Sequence, residues 1–276
     1  MKVCVLGSGS GGNATLIESR GVRVLVDAGF SGIELERRLA AIDVAPASLS
    51  GIVLTHDHRD HSMGVGIFAR RHGLPIFVTE ATRVACRALL SGAEELVRFE
   101  AGRPFQVAGR LGLRVDPFVT VHDAADPMAV IVACATNGTR VGIATDLGRS
   151  TAGIRHALSG CDFLILEANH CKLMLGGSRY PASVKQRIAS SHGHLSNEDA
   201  AQLALELLHP RLAGILLAHL SRECNRPELA RTVVGAALHR AGYRGFLDVA
   251  PQDRPTEIID IEALRLRAGP EQLTLL

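Results

Sequence analysis

Short apolar runs, broken by glycine- and aspartate-bearing turns, alternate along the chain with segments whose apolar residues recur every third or fourth position. The first pattern predicts strands and the second predicts helices. Strands are expected at Lys2–Leu6, Ala14–Glu18, Val22–Asp27, Gly51–Thr55, Pro75–Val78 and Leu113–Phe118. Others are expected at Ala129–Ala135, Arg140–Thr145, Phe163–Glu167, Gly214–Ala218 and Glu257–Ile261. Helices are expected at Gly32–Ala41, Gly64–Arg71, Ala81–Leu90, Gly153–Ser159, Asn197–Leu208 and Pro227–Ala241. In Asn197–Leu208 the residues Ala200, Leu203, Ala204 and Leu207 form one apolar face. Many strands come in pairs across hairpin-sized turns, as Thr15–Ile17 and Val22–Val26 do across Ser19-Arg20-Gly21. An unbroken βαβ alternation is absent, so mixed sheets with helices outside fit better than a doubly wound parallel sheet.

Composition bounds this picture without naming a function. At 276 residues, 47% hydrophobic and 21% charged, the chain can bury a large core, and one α/β domain over residues 1–276 is expected. A net charge of +2 gives no whole-molecule attraction for an acidic partner. Any affinity for nucleic acid must then come from a local patch. No apolar run approaches a membrane span, and Met1–Leu6 enters a strand-like run without a signal-peptide layout. No membrane partner and a cytoplasmic location are therefore expected. Cys4, Cys86, Cys134, Cys161, Cys171 and Cys224 are scattered without a C-x-x-C pair, and several lie in apolar runs, which predicts reduced, buried thiols.

The densest chemistry follows the apolar run Gly51–Thr55. His56, His58, Asp60 and His61 put three imidazoles and a carboxylate into six residues. Neutral imidazole and carboxylate suit zinc, manganese and iron, and sequence does not choose among them. In an extended turn His56 and His58 point the same way, one strand period apart. Asp60 and His61 fall on the next turn and can face a second ion. This H-x-H-x-D-H pattern differs from the H-E-x-x-H helix of zincin proteases. Distant candidates each end an apolar strand: Asp27 after Val24–Val26, His122 after Phe118–Val121, Asp146 after Gly142–Thr145 and His219 after Ile215–Ala218. Strand ends held by a rigid sheet are common places for binding groups. The opening Gly7-Ser8-Gly9-Ser10-Gly11-Gly12 contains G-x-G-x-x-G, but strand-like Ala14–Ile17 follows where a dinucleotide fingerprint needs a helix. A loop that lets the backbone pass close beside a metal site is the better reading.

Together these residues resemble the metallo-β-lactamase superfamily. The resemblance implies an α/β fold, an αββα sandwich of two mixed sheets with outer helices, and a two-metal site. It implies that His56, His58 and His122 hold one ion, Asp60, His61 and His219 a second, that Asp146 bridges, and that Asp27 supports the ligands. A narrower resemblance, to the YycJ/WalJ branch, rests on Leu6–Thr15, His122–Pro127, Glu167–His170, Gly193–Asn197, Ala218–Ser221 and Val249–Arg254. That branch is associated with 5′-to-3′ DNA exonuclease activity. The departure from its pattern is Cys171, where an acidic residue is expected after Asn169-His170.

Two divalent ions about 3.5–4 Å apart can share a hydroxide and clamp the attacking and leaving oxygens of an in-line displacement. Asp60 is a candidate for orienting that hydroxide. The leaving alkoxide still needs a proton, and His194 is the candidate donor. Its segment Gly193–Asn197 resembles the proton-donor histidine motif of tRNA 3′-processing members, although Ser196 or Asn197 as a helix cap is an alternative account of that segment. From Ala168 to Asn197 there is no Asp or Glu, while Lys172, Arg179, Lys185 and Arg187 occur with three histidines. These bases are candidates for phosphate contacts, which supply affinity without reading sequence. With no Trp and two Tyr, an extended aromatic platform for single strands is not expected. The leading expectation is a two-metal phosphodiesterase acting on DNA ahead of RNA. The alternatives are an RNA-processing nuclease, a lactam, lactone or thioester hydrolase, and a non-catalytic metal-binding protein.

Overall fold

The structure, a computed structural model, describes residues 1–109 and 112–268, so residues 110–111 and 269–276 of the domain expected over 1–276 lie outside it. In chain order the strands are β1 (Lys2–Gly7), β2 (Ala14–Ser19), β3 (Val22–Val26), β4 (Gly51–Val53), β5 (Ile76–Val78), β6 (Leu96–Arg98), β7 (Phe105–Val107), β8 (Leu113–Val119), β9 (Met128–Cys134), β10 (Arg140–Ala144), β11 (Phe163–Glu167), β12 (Gly214–Ala218), β13 (Phe246–Val249) and β14 (Ile259–Asp260). They form two seven-stranded sheets, ordered β14-β1-β2-β3-β4-β5-β6 and β13-β12-β11-β10-β9-β8-β7. Both are mixed. Strands β3 to β6 and β10 to β13 run parallel. Strands β14, β1, β2 and β3, and likewise β7, β8 and β9, pair antiparallel. The helices are α1 (Gly32–Ala40), α2 (Arg59–Ser62), α3 (Val65–His72), α4 (Glu80–Ala85), α5 (Ala152–Leu158), α6 (Lys172–Gly177), α7 (Ala182–Ile188), α8 (Asn197–Glu206), α9 (Pro227–Arg240) and α10 (Ile261–Ala268). Packing divides the chain into two compact units. The first is Met1–Val119 with Ala124–Thr139 and Pro251–Asp260; the second is Thr120–Asp123 with Arg140–Ala250 and the chain from Ile261.

Local chemistry accounts for the elements that carry the site. Ser19 pairs with Val22, leaving Arg20 and Gly21 as a two-residue loop at φ 51° and 82°. Positive φ at both positions is the type I′ geometry that matches the twist of the flanking strands. The Ser31 hydroxyl caps α1 by accepting the Glu34 N–H at 3.3 Å, and α1 turns Leu35 and Leu39 into a core with Leu25, Ile52, Leu54 and Phe68. Helix α3 stops at Gly73, which takes the left-handed C-terminal conformation. Strands β11 and β12 are buried along their whole length, which is why their sequences read as unbroken apolar runs. All six cysteines are buried and free. Among the described residues no helix is long and apolar enough to cross a membrane.

Some expected boundaries move. The helix expected over Ala81–Leu90 ends at Ala85, because the chain then turns to lay the Leu89 carbonyl against Gly66, where a Cβ would sit 2.1 Å from it. The strand expected over Glu257–Ile261 shrinks to β14, and Ile261 opens α10 instead. Strands β6, β7 and β13 and helices α6 and α7 were not anticipated. They are short and, in α6, end on Gly176-Gly177, so little periodicity marks them.

One buried carboxylate gives a stability prediction. Glu94 accepts the backbone N–H groups of Ser91 at 3.0 Å and Gly92 at 2.9 Å and pairs with Arg70. Burial pushes its carboxyl up, but these donors outweigh burial and hold it at about 2, below the ordinary 4.5. The unfolded chain therefore binds the extra proton first, and the stability from Glu94 is lost as pH falls from 4.5 through about 2. Glu94→Gln is expected to cost about 1–3 kcal/mol at pH 7. In urea unfolding the gap between variant and parent should close in acid; a gap that stays constant would show that the ionised carboxylate contributes nothing.

Candidate metal centre

In the first unit the chain leaves β4 through Leu54 and Thr55 to reach His56. His58 is extended at φ −58°, ψ 142° and leads into α2, which turns His61 inward to full burial. The rings of His56 and His61 lie 4.1 Å apart, and those of His56 and His58 lie 4.8 Å apart. Asp27 follows β3 in the left-handed region at φ 63°. Its carboxylate accepts the Thr55 N–H at 2.8 Å, the Thr55 hydroxyl at 2.9 Å and His61 Nδ1–H at 2.7 Å. A carboxylate only accepts, so His61 carries its proton on Nδ1 and presents the Nε2 lone pair. Thr55 gives its single hydroxyl proton to Asp27 and therefore accepts from His56 Nδ1 at 2.9 Å. His56 too presents Nε2. One buried carboxylate thus sets the tautomer of two imidazoles.

The glycine-rich loop approaches this cluster as expected and leads into β2 rather than a helix. Asn13 N donates to the Asp60 carbonyl at 2.7 Å. Asn13 Nδ2 donates to Asp60 Oδ2 at 3.2 Å and lies 3.0 Å from His61 Nε2. A Cβ on Gly29 would lie 1.7 Å from the Asp60 carbonyl oxygen, so that position admits no side chain. Asp57, inside the cluster but not a predicted ligand, instead accepts the Ala125 N–H at 2.9 Å.

The second unit carries His122, Asp146, His194 and His219. Asp146 and His219 follow β10 and β12 with φ 58° and 56°. His122 Nδ1 donates to the Gly193 carbonyl at 3.0 Å, which leaves its Nε2 lone pair 3.5 Å from Asp146 Oδ1. His219 Nδ1 donates to Glu167 Oε1 at 3.0 Å and turns its Nε2 to 3.6 Å from the same Asp146 oxygen. Two imidazole nitrogens that carry no proton converge on one carboxylate oxygen, and lone pairs brought together in this way repel. A shared cation turns that repulsion into coordination, so the donor set fits a divalent ion.

Glu167 was not among the predicted site residues. It ends β11, much as Asp27 follows directly on β3, and the strand-end reasoning applied to its neighbours would have found it. Fully buried, it accepts His194 Nδ1 at 2.7 Å as well as His219 through Oε1, and the N–H groups of Leu147 at 2.9 Å and Leu195 at 3.0 Å through Oε2. Burial pushes its carboxyl up; the two histidines outweigh burial and keep it ionised. Burial works against a charged His194, but the Glu167 and Asp146 carboxylates raise it above the ordinary imidazole value. The donor atoms of Asp146, Glu167, His194 and His219 all lie within 4.8 Å of one another. Ser196 does cap α8, accepting the Asp199 N–H at 3.1 Å, and His194 is free to serve another role two residues earlier.

The basic segment does not stay together. Lys172 and Lys185 line one cleft with His194, whereas Arg187 pairs with Asp123 at 3.0 Å and Arg179 lies outside the cleft lining. Cys171 is buried at the start of α6, its N–H on the Cys224 carbonyl at 2.9 Å.

The profile of the beta-lactamase superfamily domain matches residues 22–215. The exodeoxyribonuclease YycJ of Bacillus anthracis is 35% identical over 241 residues, 87% of this chain and 89% of the relative. The exodeoxyribonuclease WalJ of Streptococcus pneumoniae is 33% identical over 245 residues, with the same two coverages. The crystal structure of the metallo-β-lactamase fold protein YhfI from Bacillus subtilis superposes with a TM-score of 0.70 at 20% identity, covering 93% of this chain and 99% of that one. Profile, relatives and fold agree, and the chain belongs to the metallo-β-lactamase superfamily, on its YycJ/WalJ-like branch.

Proposed function

We propose that the chain is a two-metal phosphodiesterase that removes nucleotides from DNA, in the manner of a 5′-to-3′ exonuclease. His56, His58 and His122 would hold one ion, Asp60, His61 and His219 the other, with Asp146 shared. Divalent ions bound there supply Lewis acidity towards phosphoryl oxygens and bring the pKa of water towards neutrality. Manganese and zinc both suit these ligands.

The observation that carries the substrate class is the His194–Glu167 pair. Glu167 orients His194 through Nδ1 and favours its charged form. His194 then has an Nε2–H to give to a leaving oxygen, a step that an alkoxide needs and a stabilised leaving group does not. The lysines beside it suit a phosphate more than a small acyl group. Asp60, partly exposed at the start of α2, would orient the attacking water. That the Bacillus and Streptococcus relatives are exodeoxyribonucleases supports DNA over RNA. Six buried, free thiols support work in a reducing compartment such as the cytoplasm.

A parallel assay after manganese or zinc loading tests the reading on 5′-labelled duplex DNA, single strands, a tRNA precursor, a lactam and a thioester. Duplex DNA is expected to yield mononucleotides from its 5′ ends, and a chelator to stop the release. Turnover of the lactam or thioester with no cleavage of any nucleic acid would overturn the proposal.

A further inference from the structure

Beside His194 the second unit has a cleft of about 440 Å³. Its walls come from α6, α7 and the start of α8, and it has features that proton donation does not use. His170 lines it and is 2% exposed, yet its Nδ1 is buried without a hydrogen-bond partner. The backbone fixes that ring in place: His170 bridges to Ser196, and its carbonyl accepts the Asn197 N–H at 2.9 Å. A buried polar atom left without a partner costs about 1–3 kcal/mol, so an orphaned ring nitrogen on a residue that lines a cleft points to a ligand group that meets it.

The remaining lining has the composition of a nucleotide. Lys185 Nζ donates to the Gly176 carbonyl at 2.7 Å, and Lys172 Nζ lies 3.5 Å from Asp199. Each ammonium has three donors, so these contacts leave others for a phosphate. Asp199 is engaged by the Ser196 hydroxyl at 2.6 Å. Leu175 and Ala189 supply apolar surface, and Gln186 a second polar group at the rim. The volume falls in the range of small-molecule sites, roughly 300–1,000 Å³.

We propose that this cleft is a mononucleotide subsite, in which Lys172 and Lys185 hold the phosphate of a strand's terminal nucleotide, Leu175 and Ala189 pack against its sugar or base, and His170 Nδ1 bonds its polar edge. The proposal rests on the nuclease reading for its biological substrate, but the binding it describes is measurable without hydrolysis. His170 is a binding residue here, distinct from His194 in role.

The test is calorimetric titration of the metal-loaded full chain with thymidine 5′-monophosphate, alongside inhibition of duplex hydrolysis by the same nucleotide. Lys185→Gln and His170→Leu are each expected to weaken nucleotide binding about tenfold. His170→Asn, whose amide lies near the position of Nδ1, should recover part of the loss. Lys185 is on the cleft rim, so its variant keeps the test alive if His170→Leu fails to fold. Wild-type affinity in both Lys185→Gln and a folded His170 variant overturns the subsite. If duplex DNA is cleaved while the nucleotide neither binds nor inhibits, the subsite fails and the nuclease stands. If the nucleotide binds with the predicted losses and no nucleic acid is cleaved, the nuclease reading fails and the subsite stands.

Discussion

Asp60→Ala is expected to lower DNA hydrolysis by about 10³-fold or more while the protein stays folded. The fold should survive because Asp60 contributes to the loop packing through its backbone: its carbonyl accepts Asn13 N at 2.7 Å and Asn13 Nδ2 at 3.2 Å, and alanine keeps that carbonyl. The carboxylate is 24% exposed and lies 3.7 Å from His61 Nε2, on the face where the histidine lone pair points. On the proposed two-metal reading, removing it would take away one ligand and the group that would orient water. His61→Ala is a harsher change, because it strands the buried Asp27 carboxylate that His61 satisfies at 2.7 Å. The decisive measurement pairs turnover on labelled duplex with metal content and far-ultraviolet circular dichroism. Full activity in Asp60→Ala, or in metal-stripped protein, would falsify the two-metal mechanism.

His194→Ala should lower kcat on DNA by about 10²–10⁴-fold with a much smaller change in KM. The physical reason is the geometry at Glu167, which holds His194 at 2.7 Å and His219 at 3.0 Å through one oxygen. If His194 protonates the leaving alkoxide, a thymidine 5′-phosphate ester of p-nitrophenol should lose far less, because its leaving group needs no proton. Equal losses on both substrates would instead assign His194 to binding or to orientation of its neighbours. Unchanged turnover on DNA would remove it from the chemistry.

The sequence disclosed much of this arrangement because the fold marks strand ends with polar residues. Asp27, His122, Asp146 and His219 each interrupt an apolar run, and each belongs to the candidate centre as built within its unit. The mixed sheets were legible from hairpin spacing, and Ser196, one of the two caps offered for its segment, is the cap of α8. Glu167 was hidden by its setting, since a glutamate at the end of Phe163–Leu166 looks like any strand terminus until two histidines from distant segments reach it. Asn13 was hidden for a similar reason: its partners, Asp60 and His61, are remote in sequence and close only because Gly29 carries no side chain. The four bases of the acid-free segment read as one feature, but α6 and α7 are helices with little periodicity to announce which way each base faces. Linear charge counting therefore could not separate Lys172 and Lys185 from Arg179 and Arg187.

Three non-glycine positions at the site, Asp27, Asp146 and His219, hold left-handed backbone at φ 63°, 58° and 56°. Such conformations cost about 1–3 kcal/mol each, and asparagine or glycine adopts them more readily. On the two-metal reading, chemistry at this centre and stability of the fold make opposing demands on these three positions. Asparagine or glycine at any of the three is expected to relieve that strain, offset by the hydrogen bonds the native side chain gives up, such as those of Asp27 to Thr55 and His61 and of His219 to Glu167. The residues gathered at these strand ends are therefore held at a cost in backbone conformation that a fold without them would not carry.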